Sequence, residues 1–231
     1  MNRIRVFGIV TLVIACTTFG LWTDLGAQET SSASQPFLKG PARAAAAAKQ
    51  RGKTSTFFDF IAEGPIDEDS ETTLRKNSSL VVVPTDAPSL VTSTDEWIFT
   101  WRVVRIEKIL RKGLPGICNA TLPAGMKLGT DEAVLILLGG AVVVDGVQVT
   151  MRSPDTALNL RAGHPVLVVG NHCPNGTLSL ADLGSRAVFN VDPSGKVAST
   201  GGYDSSLKAR VLSLGTVAGF QKYLARLKEA R

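Results

Sequence analysis

Histidine is nearly absent from this chain: His164 and His172 are the only two in 231 residues. That scarcity confines any Ser-His or Cys-His nucleophile to those two positions, and no G-x-S-x-G elbow accompanies them. Cysteine is sparse as well, three in all. With neither C-x-x-C nor H-E-x-x-H spacing, His164, His172, Cys118 and Cys173 form no recognisable ligand set, so no metal, cofactor or catalytic residue is expected. Phosphate-cradling glycine loops are missing too, because Gly139-Gly140 and Gly201-Gly202 are simple pairs that suit turns. Charged residues make up 19% of the chain and aromatics 6%, against 22 glycines. That balance speaks against a helical bundle and for a β-rich exported domain. No internal repeat of about 20 to 50 residues is visible.

What is present begins with an address. Met1 to Arg5 carries two arginines and Val6 to Leu21 is almost unbroken apolar sequence, the charged and hydrophobic regions of a secretory signal. Residues 1–27 are read as that signal, with cleavage after Ala27 leaving Gln28 first. Val13-Ile14-Ala15-Cys16 also resembles a lipoprotein box, which makes Cys16 a lipidation candidate, although the apolar Phe19-Gly20-Leu21-Trp22 follows it. An uncleaved anchor is the third reading, and all three place the domain in the periplasm or outside the cell. Cys118 and Cys173 then remain as an even pair in an oxidising setting, which predicts one disulfide, with two buried free thiols as the alternative. Because His172 and Cys173 are adjacent and lie on an extended segment, they point to opposite faces, and no thiol-imidazole pair is expected.

The net charge of +5 conceals a pattern. From Lys39 to Lys53 there are five basic residues and no acid; from Asp204 to Arg231, six basic face two acidic; the body from Asp59 to Tyr203 carries twelve basic against sixteen acidic. Nucleic-acid binders put a basic stripe with stacking aromatics on the folded face, so no nucleic acid is expected as a partner. The cationic ends read as solvated tails, with peripheral contact to anionic envelope lipid or polymer as the sharper alternative.

Residues 28–55 read as a flexible Ala/Ser-rich linker, in which Ala44 to Ala48 favour a short helix that tethers without joining the core. Asp67-Glu68-Asp69-Ser70-Glu71 lacks the glycine and distal glutamate of a calcium loop and reads as a solvated N-terminal turn for Glu71 to Lys76. Strand signals run through residues 56–203. Leu80 to Val83 is halted by Pro84. From Trp97 to Leu110 the apolar positions change face near Val103-Val104, which predicts a bulge or a strong bend there. Ala133 to Leu138 is a doubly buried strand, and Asp145-Gly146 between β-branched residues is the strongest hairpin signal. Pro165 to Val169 is a further strand before an Asn175-Gly176 turn, and Ala187 to Val191 pairs with Lys196 to Ser199. In 204–231, Val217, Phe220, Leu224 and Leu227 recur at helical spacing and predict an amphipathic C-terminal helix packed as a lid. Sequons occur at Asn77, Asn119 and Asn175; no glycan is expected on any of them in a bacterial-type chain.

Several phrases between Leu80 and Ser199 carry a resemblance. They are Val81-Val82-Val83, the run Ile106 to Gly113, Gly139-Gly140, Asp145-Gly146, Gly163-His164-Pro165-Val166-Leu167, and Phe189-Asn190-Val191 with Gly195. Together they resemble a group of uncharacterised exported bacterial proteins, over about half the chain. The strand order is similar to small five- or six-stranded barrels of the oligonucleotide/oligosaccharide-binding type, which include the barrel of tissue inhibitors of metalloproteinases. In those inhibitors a free N-terminal cysteine reaches the protease zinc; here the chain would start at Gln28 or at an acylated Cys16, so the resemblance carries the fold and not that activity.

The expectation is therefore a mainly β protein: a small, partly open five- or six-stranded barrel with a C-terminal helix. Its expected role is a non-catalytic envelope or extracellular module that binds a protein or polymer. Two alternatives stand beside it. A periplasmic hydrolase would need carboxylates converging in a deep pocket with raised pKa values, and a protease inhibitor would need a rigid loop protruding near Cys118 or Cys173.

Overall fold

Runs of β-branched residues bounded by turn residues become strands because branched side chains pack well on a pleated, buried surface. A computed structural model describes residues 39–59, 68–114, 118–181, 186–201 and 204–229, all within one compact unit, Phe37–Arg231. In chain order the elements are α1 (Gly40–Gln50), β1 (Ser55–Asp59), α2 (Ser70–Lys76), β2 (Ser78–Pro84), β3 (Leu90–Ser93), β4 (Ile98–Arg111), β5 (Glu132–Leu138), β6 (Gly140–Val144), β7 (Val147–Arg152), β8 (Val166–His172), β9 (Thr177–Leu180), β10 (Val188–Val191), β11 (Val197–Ser199), α3 (Ser206–Leu214) and α4 (Val217–Glu229). The signal segment 1–27 with Cys16, the spacer up to residue 38, Phe60-Ile61 and Asp67 lie outside the described residues.

Five strands close into a barrel. β2 pairs antiparallel with β4 and β8, β4 with β5 antiparallel, β5 with β9 parallel, and β9 antiparallel with β8. The protein is thus mainly β, with a small closed barrel and a C-terminal helix, consistent with the barrel resemblance. Closure depends on a close approach at Gly170, where a Cβ would lie 2.3 Å from the Ser179 carbonyl oxygen. Leu80, Val82, Val104, Leu135, Val168 and Leu178 fill the interior and are fully buried, each worth about 1.5–3 kcal/mol.

Helices cover one outer side. Leu74 of α2, Leu207 and Val211 of α3, and Phe220, Leu224 and Leu227 of α4 pack on Val81, Leu167, Val169 and Phe189. Asp69 caps α2 by accepting from the Thr72 amide at 3.0 Å, which is the role expected of the acidic segment. Residues 204–231 hold two helices where a single one was expected. Ser205 caps the first by accepting from the Lys208 amide, and Gly215, at φ +72°, ends it. Ser/Thr caps and a following left-handed glycine are strong local boundaries that amphipathic spacing alone does not reveal.

Two further expectations are corrected. β4 runs in unbroken register with β5 from Phe99 to Arg105, so no bulge sits at Val103-Val104; the register slips lie farther on, against β2 between Val81/Val82 and Ser79/Leu80. The apolar pattern misleads there because Trp101 is buried on the outer face, opposite Leu90 of β3, while Val104 is buried inside. Moreover α1 is no tether: Ala45 and Ala48 are buried against Val147, Val149, Met151 and Ile98. This second layer is a three-stranded sheet in the order β1-β7-β6. Its β6–β7 hairpin turns at Asp145 and Gly146, φ +49° and +79°, the positive pair that two-residue turns require.

Candidate functional site

Cys118 and Cys173 are disulfide-bonded, with Cα atoms 5.8 Å apart across 55 residues. The bond ties the β4–β5 connection to the turn before β9, where Asn175 Nδ2 also donates to the Ala120 carbonyl at 2.8 Å. A disulfide is compatible with an oxidising compartment, and it removes Cys173 as a nucleophile. His172, half-buried on β8, has its imidazole pKa pushed down first by burial and then by the charge of Lys112. His164 is exposed in the turn that precedes β8. Among the described residues no three His, Cys, Asp or Glu side chains gather as a metal-binding group, and no helix is long and apolar enough to cross a membrane. Asn77 spends its side-chain amide on the Thr73 carbonyl at 3.0 Å.

The basic segment 39–53 forms the most distinctive surface. Pro41 stands in the first turn of α1, where its missing N–H costs no hydrogen bond, and five consecutive alanines continue the helix. Because Ala45 and Ala48 face the sheet, the cations are held on the outer side of a docked element and not on a tail. A groove of about 410 Å³ between α1 and β1 is lined by Arg43, Ala47, Arg51, Lys53, Phe57 and Phe58 among others, with no acidic residue among the described residues of its lining. Phe57 is 59% exposed, and the Arg152 guanidinium lies 3.9 Å from its ring centroid. Lys39 is drawn off to Glu96 at 3.1 Å. Exposed guanidinium and ammonium groups beside an apolar floor favour phosphate- or carboxylate-bearing chains, which guanidinium forks bind in two-point fashion.

The outer face of β3 and β4 is the competing surface, with Leu90 39% and Trp97 37% exposed. Trp101, however, is only 8% exposed and its indole N–H is spent on Thr92 Oγ1 at 2.7 Å, so that ring offers little to stack on. Asp69 and Asp192 both have lowered pKa values, Asp69 mainly through the Thr72 amide and Asp192 mainly through the Ser194 hydroxyl, opposite to the shift a catalytic acid needs.

These features define a small closed-barrel protein carrying a docked basic helix on an auxiliary sheet. No protein-family model matches the sequence, and no curated protein matches it.

The groove was missed in the sequence because alanine reads as a helix former and not as an apolar face. The usable signal was Ala45 and Ala48, three apart on a helix with proline in its first turn, with Arg43 and Arg51 outside that stripe.

Proposed function

We propose that the chain is an exported, non-catalytic envelope or extracellular module that holds an anionic polymer in the groove between α1 and β1. The observation that carries this reading is the set Arg43, Arg51 and Lys53 around a groove floored by alanine and phenylalanine, with no acid among its described lining. A field of one sign concentrates polyanions at such a surface, and the aromatic and methyl groups give a flexible chain an apolar bed. Export is supported by the N-terminal signal pattern and by the disulfide, and membership of the exported bacterial group by the strand phrases it shares.

The test is an amide NMR titration of the mature protein with soluble polyphosphate and with polygalacturonate, using dextran as the uncharged control. Either polyanion is expected to shift amides in 40–53 and 55–58 selectively. Shifts confined elsewhere, or equal shifts with dextran, contradict the reading.

A second reading, protease inhibition, is favoured by one observation: the largely exposed stretch 118–131 is fixed near its start by Cys118–Cys173 and by the Asn175–Ala120 hydrogen bond. Titration against a panel of serine, cysteine and metalloproteases separates the two, because the inhibitor alone would form tight one-to-one complexes that leave α1 amides unmoved.

A further inference from the structure

An arginine stands on the inward face of a barrel strand. Arg102 lies on β4 between Thr100 and Val104 and opposes Leu135 of β5, the face whose neighbours fill the barrel. Its Nε is buried and has no hydrogen-bond partner among the described residues. The side chain lines a cavity of about 260 Å³ together with Thr100, Leu137, Leu158, Leu160 and Asp155. Two polar groups of the cavity wall are engaged: the Thr100 hydroxyl donates to the Gly139 carbonyl at 2.7 Å, and Asp155 Oδ2 accepts from the Leu138 amide at 2.8 Å.

We propose that this cavity at the end of the barrel binds a small monocarboxylate with an apolar body, its carboxylate on the Arg102 guanidinium. A buried donor without an acceptor is costly, and a planar guanidinium is matched best by the two oxygens of one carboxylate. Among the described lining the Arg102 guanidinium is the one cation that can face a carboxylate, and the aspartate on the same cavity disfavours a phosphate dianion. Leu137, Leu158 and Leu160 supply a surface for hydrocarbon, and the volume falls below the range of drug-sized clefts, so the ligand is small. The site does not depend on the basic groove of α1.

The experiment is an amide NMR titration of the folded protein with acetate, isovalerate and benzoate, with benzamide as the neutral isostere of benzoate. Saturable shifts at Thr100, Gly139 and Gly140 are expected with isovalerate or benzoate, at least tenfold tighter than with benzamide. Arg102→Met is expected to weaken binding at least tenfold. Should that variant fail to fold, Ser89→Trp carries the test: Ser89 is exposed on the cavity lining, and the indole is expected to block entry while Arg102 stays in place. Absence of saturable shifts with every carboxylate, equal binding of benzamide, or undiminished binding by Arg102→Met or Ser89→Trp overturns the proposal.

Discussion

Arg152 lies over Phe57, 3.9 Å from the ring centroid, while its Nε donates to Asp59 Oδ1 at 2.8 Å. Strand β7 thereby holds the aromatic wall of the groove through an adjacent parallel strand, since Phe57 and Asp59 both belong to β1. Phe57→Ala is expected to free the Arg152 guanidinium from the ring, an exposed cation–aromatic contact of about 0.5–1 kcal/mol, and to weaken polyanion binding by no more than that through the loss of the groove's aromatic wall. Thermal stability should move little because the ring is already largely in water. Calorimetric titration beside a melting curve checks both halves.

The disulfide closes a loop of 55 residues. On the chain-entropy scale, its loss in the Cys118→Ala/Cys173→Ala protein is expected to cost about 4 kcal/mol. Urea unfolding should show a lower midpoint for the double variant, and reducing agent should shift the native protein towards it.

Barrel closure makes Gly170 intolerant of a side chain. A Cβ there would meet the Ser179 carbonyl oxygen at 2.3 Å, whereas at Gly129 it would meet the Glu132 side chain at 3.3 Å. Gly170→Ala is expected to destabilise by about 1–3 kcal/mol through overpacking. Gly129→Ala should stay near neutral, because a flexible side chain can yield. Parallel denaturation curves decide, and equal behaviour of the two would argue against the close β8–β9 contact.

Asp192 organises the β10–β11 turn by accepting from the Ser194 hydroxyl and amide and from the Lys196 amide. These bonds, the hydroxyl foremost, hold its pKa below the ordinary 3.8. The folded value being lower than the unfolded one, the contribution is complete above the unfolded value and disappears as pH falls through the folded value. Asp192→Asn should therefore be less stable than the native protein near neutrality, and the two melting temperatures should converge in strong acid. A gap that persists unchanged at low pH would contradict this.

The strands were legible because Leu80 to Val83, Ala133 to Leu138 and Asp145-Gly146 each combine propensity with an unambiguous stop. The long strand β4 was legible as a strand but not as to its faces: Trp101 and Val104 are both buried, one outside the barrel and one within, so alternation names no inner side. The candidate groove was less legible still. Its cations were visible as a run, but that the run is docked depends on two buried alanine methyls, which carry too little hydrophobic signal to outweigh five charges in sequence. Arg102 was invisible as a site because only the pairing with Leu135 reveals that it faces inward.

The most direct test of the account compares the native protein with Arg43→Ala/Arg51→Ala/Lys53→Ala for affinity to polyphosphate, at low and at physiological salt. The three side chains are exposed, so the fold should survive. An affinity loss of at least tenfold is expected at low salt, narrowing as salt rises and screens the field. Equal affinities of the two proteins at low salt would contradict it.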